Sequence, residues 1–176
     1  MASLKEIVTK AVIGKTKKAS KDTFEIPVDY DISNVLGCWV INHNFSGVDD
    51  NGKAKIKGSY DVNVWYSYDD NTKTNVIVKT FSYDDIINVN LKSKDVLTDS
   101  REIIVRSLTA PQVSDVKVDG KLIKVTVEKE IGVEIVGDVK MRINAEEDFD
   151  DYEEEDNGRD LEMNITDDYL NGVNQK

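Results

Sequence analysis

The chain has 176 residues with 34 acidic and 23 basic side chains, a formal net charge of −11, one cysteine (Cys38) and one histidine (His43). That length suits one domain with appendages, and the two counts exclude an intramolecular disulfide and any Cys/His zinc site. No run of about 18 or more apolar residues encodes a membrane-spanning helix, so no membrane insertion is expected.

Charge is distributed unevenly. Residues 1–21 carry six lysines and one glutamate, residues 22–145 carry 15 basic and 20 acidic side chains, and residues 146–176 carry 13 acidic and two basic ones. A basic head, a near-neutral body and an anionic tail argue against nucleic acid as a main partner. The start, MASLKEIVTKAVIGKTKK, lacks the apolar core of a secretory signal, which makes synthesis in the cytosol the expectation.

Ser3-Leu4-Lys5-Glu6 has the form of a capping box, and Leu4, Ile7, Val8, Ala11 and Val12 follow at helical spacing up to Gly14. This predicts a short amphipathic helix whose apolar stripe rests on its own domain or docks onto a neighbouring subunit. Lys15 to Lys21 reads as a basic linker, so residues 1–21 form a helix and linker ahead of a domain at 22–145.

From Thr23 the signals are strand-like. Thr23–Val28 reads as an edge strand because of Pro27. Val35–Phe45 reads as a strand with Trp39, Ile41, His43 and Phe45 on one face, and Gly47 to Gly52 as a turn. On such a strand Cys38 and His43 have opposite parity, which argues against a Cys-His nucleophilic pair. In Lys53–Tyr68 (KAKIKGSYDVNVWYSY), Ala54, Ile56, Tyr60, Val62, Val64, Tyr66 and Tyr68 share one parity, and Trp65 falls among the polar residues of the other. Asp69–Thr72 turns the chain into Thr74–Tyr83, where Val76 and Val78 alternate with Ile77 and Phe81. One of these pairs joins the tyrosine face and the other joins Trp65. The candidate self-association residues are therefore Leu4, Ile7, Val8, Ala11, Val12, Trp65, Ile77 and Phe81.

Further strands fit Ile86–Leu91, Glu102–Leu108, Val113–Val118, Lys121–Glu128 and Val133–Ile143, with Asp119-Gly120 as a hairpin turn. Many short strands with turns between them predict an all-β antiparallel sandwich or open barrel. Residues 146–176 are expected to be mostly disordered, because like charges repel and few apolar groups offset chain entropy. Phe149, Tyr152, Tyr169 and Leu170 are the candidate partner-recruitment anchors in this tail.

No G-x-S-x-G, Walker, G-x-G-x-x-G or H-E-x-x-H motif occurs, and no calcium-loop pattern organises the carboxylates. The residues thus point away from an enzyme, and no cofactor or metal is called for. Two functional classes stay open: a self-assembling structural scaffold, and a binding module in which Trp65 with Tyr66 or Tyr68 stacks on a glycan or peptide. Parity opposes the second, because Trp65 and the tyrosines point to opposite faces.

Three segments carry a resemblance: Glu6–Val12 (EIVTKAV), Leu36–His43 (LGCWVINH) and Tyr60–Thr74 (YDVNVWYSYDDNTKT). In this order they resemble the outer spore coat morphogenetic CotE family of endospore-forming bacteria. The resemblance covers residues 4–85 well, 86–145 in general strand pattern and the tail in its acidic character. It implies a non-enzymatic scaffold made in the mother-cell cytoplasm, assembling on the forespore surface and remaining in the mature spore coat. It further implies a homo-oligomer that depends on a basal-layer morphogenetic ATPase for placement and recruits other spore coat proteins.

Overall fold

The computed structural model describes residues 3–92 and 96–145, the side chains of 96–99 aside. Residues Glu6–Ile143 form one compact unit. The acidic segment 146–176, with Phe149, Tyr152, Tyr169 and Leu170, lies outside the described residues.

Among the described residues six long strands run β1 (Ser3–Pro27), β2 (Ile32–Asp50), β3 (Lys53–Tyr68), β4 (Lys73–Asn88), β5 (Val96–Asp119) and β6 (Leu122–Ala145). They make two three-stranded antiparallel sheets, β1-β6-β5 and β2-β3-β4. The hairpins follow their turn chemistry. Asn51 and Gly52 both take positive φ (51° and 86°), the geometry that two-residue hairpins require, and Gly120 takes 62° after Asp119.

The expected N-terminal helix is absent, because that segment is the first half of β1. Ile7, Val8, Thr9, Val12 and Ile13 are β-branched and suit a pleated surface better than a helix turn. Their spacing also fits a period of two. Leu4, Val8 and Val12 are exposed, whereas Ile7 and Ala11 are half-buried and Ile13 is buried. The expected basic linker is strand as well. Its lysines pair with the neighbouring β6: Lys15 with Glu134 at 3.2 Å, Lys17 with Glu130 at 3.1 Å and Lys21 with Glu128 at 3.3 Å. The strands predicted separately at 102–118 and 121–143 are continuous as β5 and β6, and Ile86 to Asn88 belong to β4.

The core is built from the two central strands. Ala54, Ile56, Tyr60, Val62, Val64 and Tyr66 of β3 face the sandwich interior, as do Ile123, Val125, Val127, Ile131, Val133 and Ile135 of β6; all are buried. They fall into two apolar clusters. One gathers Ala54 and Ile56 with Ile131, Val133 and Ile135; the other gathers Tyr60 to Tyr66 with Ile26 and Ile123 to Val127. Each such valine or isoleucine contributes about 1.5–3 kcal/mol relative to exposure.

Candidate functional site

The outward side of the β2-β3-β4 sheet carries the surface in question. Across β3, Trp65 is opposite Gly37 of β2 and Val76 of β4, and Asn63 is opposite Trp39 and Val78. Directly opposed residues share a face, so Trp39, Trp65, Val76 and Val78 stand together, with Ile41 beside Asp61 in the next row. Their exposures are 43%, 43%, 50%, 53% and 44% for Trp39, Trp65, Val76, Val78 and Ile41. A Cβ on Gly37 would lie 3.2 Å from the Trp39 ring and 4.0 Å from that of Trp65. The missing side chain is what lets both indoles lean over this position. Asn63 lies beneath this group, 6% exposed, with its Nδ2 buried and without a partner.

A β-bulge sets the membership of this face. The β2–β3 register shifts between Ile41 and Asn44, where Asn42 adopts φ 56°, a conformation asparagine tolerates. Trp39 and Ile41 therefore face outward, while His43 and Phe45 face inward, which corrects the reading that placed all four on one face. Asn42 Nδ2 donates to Asp61 Oδ2 at 2.9 Å, and Thr80 Oγ1 donates to Asp61 Oδ1 at 2.6 Å. The Thr80 bond first, then the Asn42 bond, hold the Asp61 carboxyl below the usual range. One carboxylate thus ties β2, β3 and β4 together at the border of the apolar face.

Ile77 and Phe81 do not join Trp65. They pair with Val64 and Tyr60 and pack against the second core cluster; Phe81 stacks on Phe24 with centroids 3.9 Å apart. The valine pair Val76 and Val78 occupies the outward side instead. Leu4, Val8 and Val12 are exposed on β1, and Ile7 and Ala11 are turned the other way. The expected helical stripe of Leu4, Ile7, Val8, Ala11 and Val12 is therefore divided between the two faces of a strand.

The bulge also puts Cys38 and His43 on the same inward side, although parity separated them. Cys38 packs against the second cluster, and burial pushes its thiol up to about 11. That environment suppresses the thiolate that nucleophilic chemistry needs.

Between the two apolar clusters lies a polar seam that no local motif marks. Lys129 continues the inward series of β6, and its side chain is only 2% exposed. Its ammonium donates to Ser20 Oγ at 2.7 Å and pairs with Asp22 at 3.4 Å and Asp85 at 3.5 Å. It also stands 4.1 Å from the centroid of the Tyr83 ring. Lys18 reaches Asp85 at 2.9 Å. Gly58 opposes Tyr83 across the β3–β4 ladder, and any Cβ there would strike that ring. Tyr83 Oη lies 2.7 Å from His43 Nε2. Burial, with a smaller effect from Asp85, pushes the Tyr83 hydroxyl up to about 12. Burial first, then the Lys129 charge, lowers the pKa of His43. The seam is a satisfied ionic network bridging the two sheets. Among the described residues no group of His, Cys, Asp and Glu is placed to hold a metal ion.

A family model described as Outer spore coat protein E (CotE) matches residues 3–176. The chain belongs to that family. No curated protein and no solved structure gives a significant match. Membership makes the chain a spore coat protein and gives it a place in that coat. Among the described residues, no helix is long and apolar enough to cross a membrane.

Proposed function

We propose that the chain is a structural scaffold of the outer spore coat, which self-associates and recruits other outer coat proteins. The observation that carries this reading is the outward face of β2-β3-β4, where two tryptophans and three aliphatic side chains stand exposed together. Tryptophan is enriched at association hot spots because one rigid ring buries a large area at small entropic cost. In this reading the mother cell makes the protein in its cytoplasm, and a basal-layer morphogenetic ATPase directs it to the forespore surface. Its work is non-enzymatic.

The acidic segment 146–176 serves recruitment, with Phe149, Tyr152, Tyr169 and Leu170 as anchors for basic client surfaces. Attraction of that kind weakens as salt rises, since the Debye length is about 8 Å at physiological ionic strength. The alternative of a stacking site built from Trp65 with Tyr66 or Tyr68 fails on geometry, because Trp65 is exposed on the outward face while Tyr66 is buried in the sandwich and Tyr68 packs against its second apolar cluster.

Light scattering on the purified full chain tests this. Wild type is expected to form defined oligomers, and Trp65→Ala is expected to reduce their size while the strand signal in circular dichroism persists. A wild type that stays monomeric at every concentration, or a variant that assembles as wild type does, contradicts the proposal. A chain truncated after Asn144 is expected to fold and assemble but to leave client proteins unattached.

A further inference from the structure

The four edge strands of the sandwich differ in how they discourage pairing with another chain. β1 carries Lys10, Lys15, Lys17 and Lys21 in ion pairs and ends at Pro27. β2 has three register shifts, and β5 has four, with Pro111 among them. Between Lys73 and Lys79, β4 has none of these devices. It pairs with β3 through an unbroken ladder from Lys73 to Asn88 and is terminal in the order β2-β3-β4. Thr74 to Val78 (TNVIV) holds no charge, proline or glycine, and most of these residues are exposed.

One hydrogen bond shows which backbone groups face the open side. The N–H of Val76 donates to its own neighbour, Asn75 Oδ1, at 2.9 Å. An amide engaged with β3 would not need that local acceptor, so Val76 turns its N–H and C=O away from β3. By the alternation of an antiparallel strand, Thr74, Val78 and Thr80 do the same. The result is a row of backbone groups that no neighbouring strand engages along the uncharged stretch Thr74 to Val78, the Val76 N–H being met only by its own neighbour Asn75.

We propose that this edge pairs with β4 of a second copy, antiparallel about a two-fold axis at Ile77, so that two three-stranded sheets become one of six. The inference rests on the self-association reading above and names the surface. A two-fold axis makes the edge self-complementary, and like charges exclude some of its registers. An axis at Val76 sets Lys73 against Lys79 of the second copy, and an axis at Lys79 sets that lysine against itself. At Ile77, Val76 meets Val78 of the second copy, Thr74 meets Thr80, and Lys79 meets Asn75. Within residues 73–81 no like charges oppose. The outward-facing groups of residues 74, 76, 78 and 80 then satisfy one another, and the Val76/Val78 strip joins the two Trp65 faces into one.

Hydrogen exchange read by mass spectrometry on the full chain tests this. Peptides covering residues 73–81 are expected to slow as concentration rises, by about tenfold where nine-tenths of the chains are paired. Val78→Pro removes an outward N–H and leaves the β3 ladder, a position where an edge strand tolerates proline. It is expected to stay folded, remain monomeric and lose that protection; should it fail to fold, the wild-type exchange decides alone. Association without slowed exchange at 73–81 overturns the edge pairing and leaves self-association standing. A wild type monomeric throughout overturns both.

Discussion

Removing the ammonium of Lys129 is expected to be among the most costly single changes in the sandwich. Taking away one partner of a buried ion pair costs about 3–5 kcal/mol, because a desolvated opposite charge is left behind. The surroundings of Lys129 reduce that figure. Asp22 is 46% exposed and can rehydrate, and Asp85, 14% exposed, keeps Lys18 at 2.9 Å. Alanine also forfeits the contact with the Tyr83 ring, worth about 0.5–2 kcal/mol, and leaves the volume of the lysine stem empty. Lys129→Ala should therefore cost about 3 kcal/mol, and Lys129→Met, which keeps the stem volume, about 1–2 kcal/mol. For a domain of this size that is a fall in Tm of about 10 °C for alanine.

A double-mutant cycle sharpens the test. Lys18→Ala alone should cost little, since Lys18 is 43% exposed. In the Lys129→Met background it should cost more, because Asp85 then has neither lysine. Urea unfolding of the full chain, followed by circular dichroism, measures all four corners. Additivity within about 0.5 kcal/mol, or a Lys129→Ala cost under about 1 kcal/mol, would refute the account of the seam.

Two further outcomes follow from the inward side of β2. The pKa of His43 is lowered by burial and then by Lys129, so the unfolded chain binds its proton at a higher pH than the folded chain does. Stability should then fall as pH drops below about 6.5 and level off below the folded-state value; His43→Gln should flatten this part of the Tm profile, and an unchanged slope counts against it. Cys38, its thiol pushed up to about 11 by burial, should react slowly with iodoacetamide at pH 8 and rapidly in denaturant. Fast alkylation of the folded chain, or a disulfide-linked dimer under mild oxidation, would contradict its placement.

How far the fold is legible depends on which period the side chains keep. β3 is readable throughout because its two parities are chemically distinct, and Trp65 stands out as the exception. Residues 4–12 are not, because Leu4, Val8 and Val12 satisfy a helical spacing and a period of two at once; only sheet packing decides between them. β2 misleads at Asn42, where one residue in a left-handed conformation reverses the face of everything after it. The Asn-His-Asn run is the only local sign of it. Lys129 is hidden for a different reason. Ending a strand at Glu128 conceals that Ile123, Val125, Val127, Lys129, Ile131, Val133 and Ile135 share one parity, with a lone cation in an apolar series. Val76 and Val78, against Ile77 and Phe81, could be sorted only once the ladder register with β3 was known.

The most direct measurement is made on spores. Sporulating cells whose only copy of the protein carries Trp39→Ala and Trp65→Ala are compared with wild type by electron microscopy of thin sections and by electrophoresis of extracted coat protein. The two side chains stand outside the core, so the variant is expected to accumulate as a folded protein. The account predicts that the outer coat is then missing or detached while deeper layers persist. A complete outer coat around spores containing the stable double variant would contradict it.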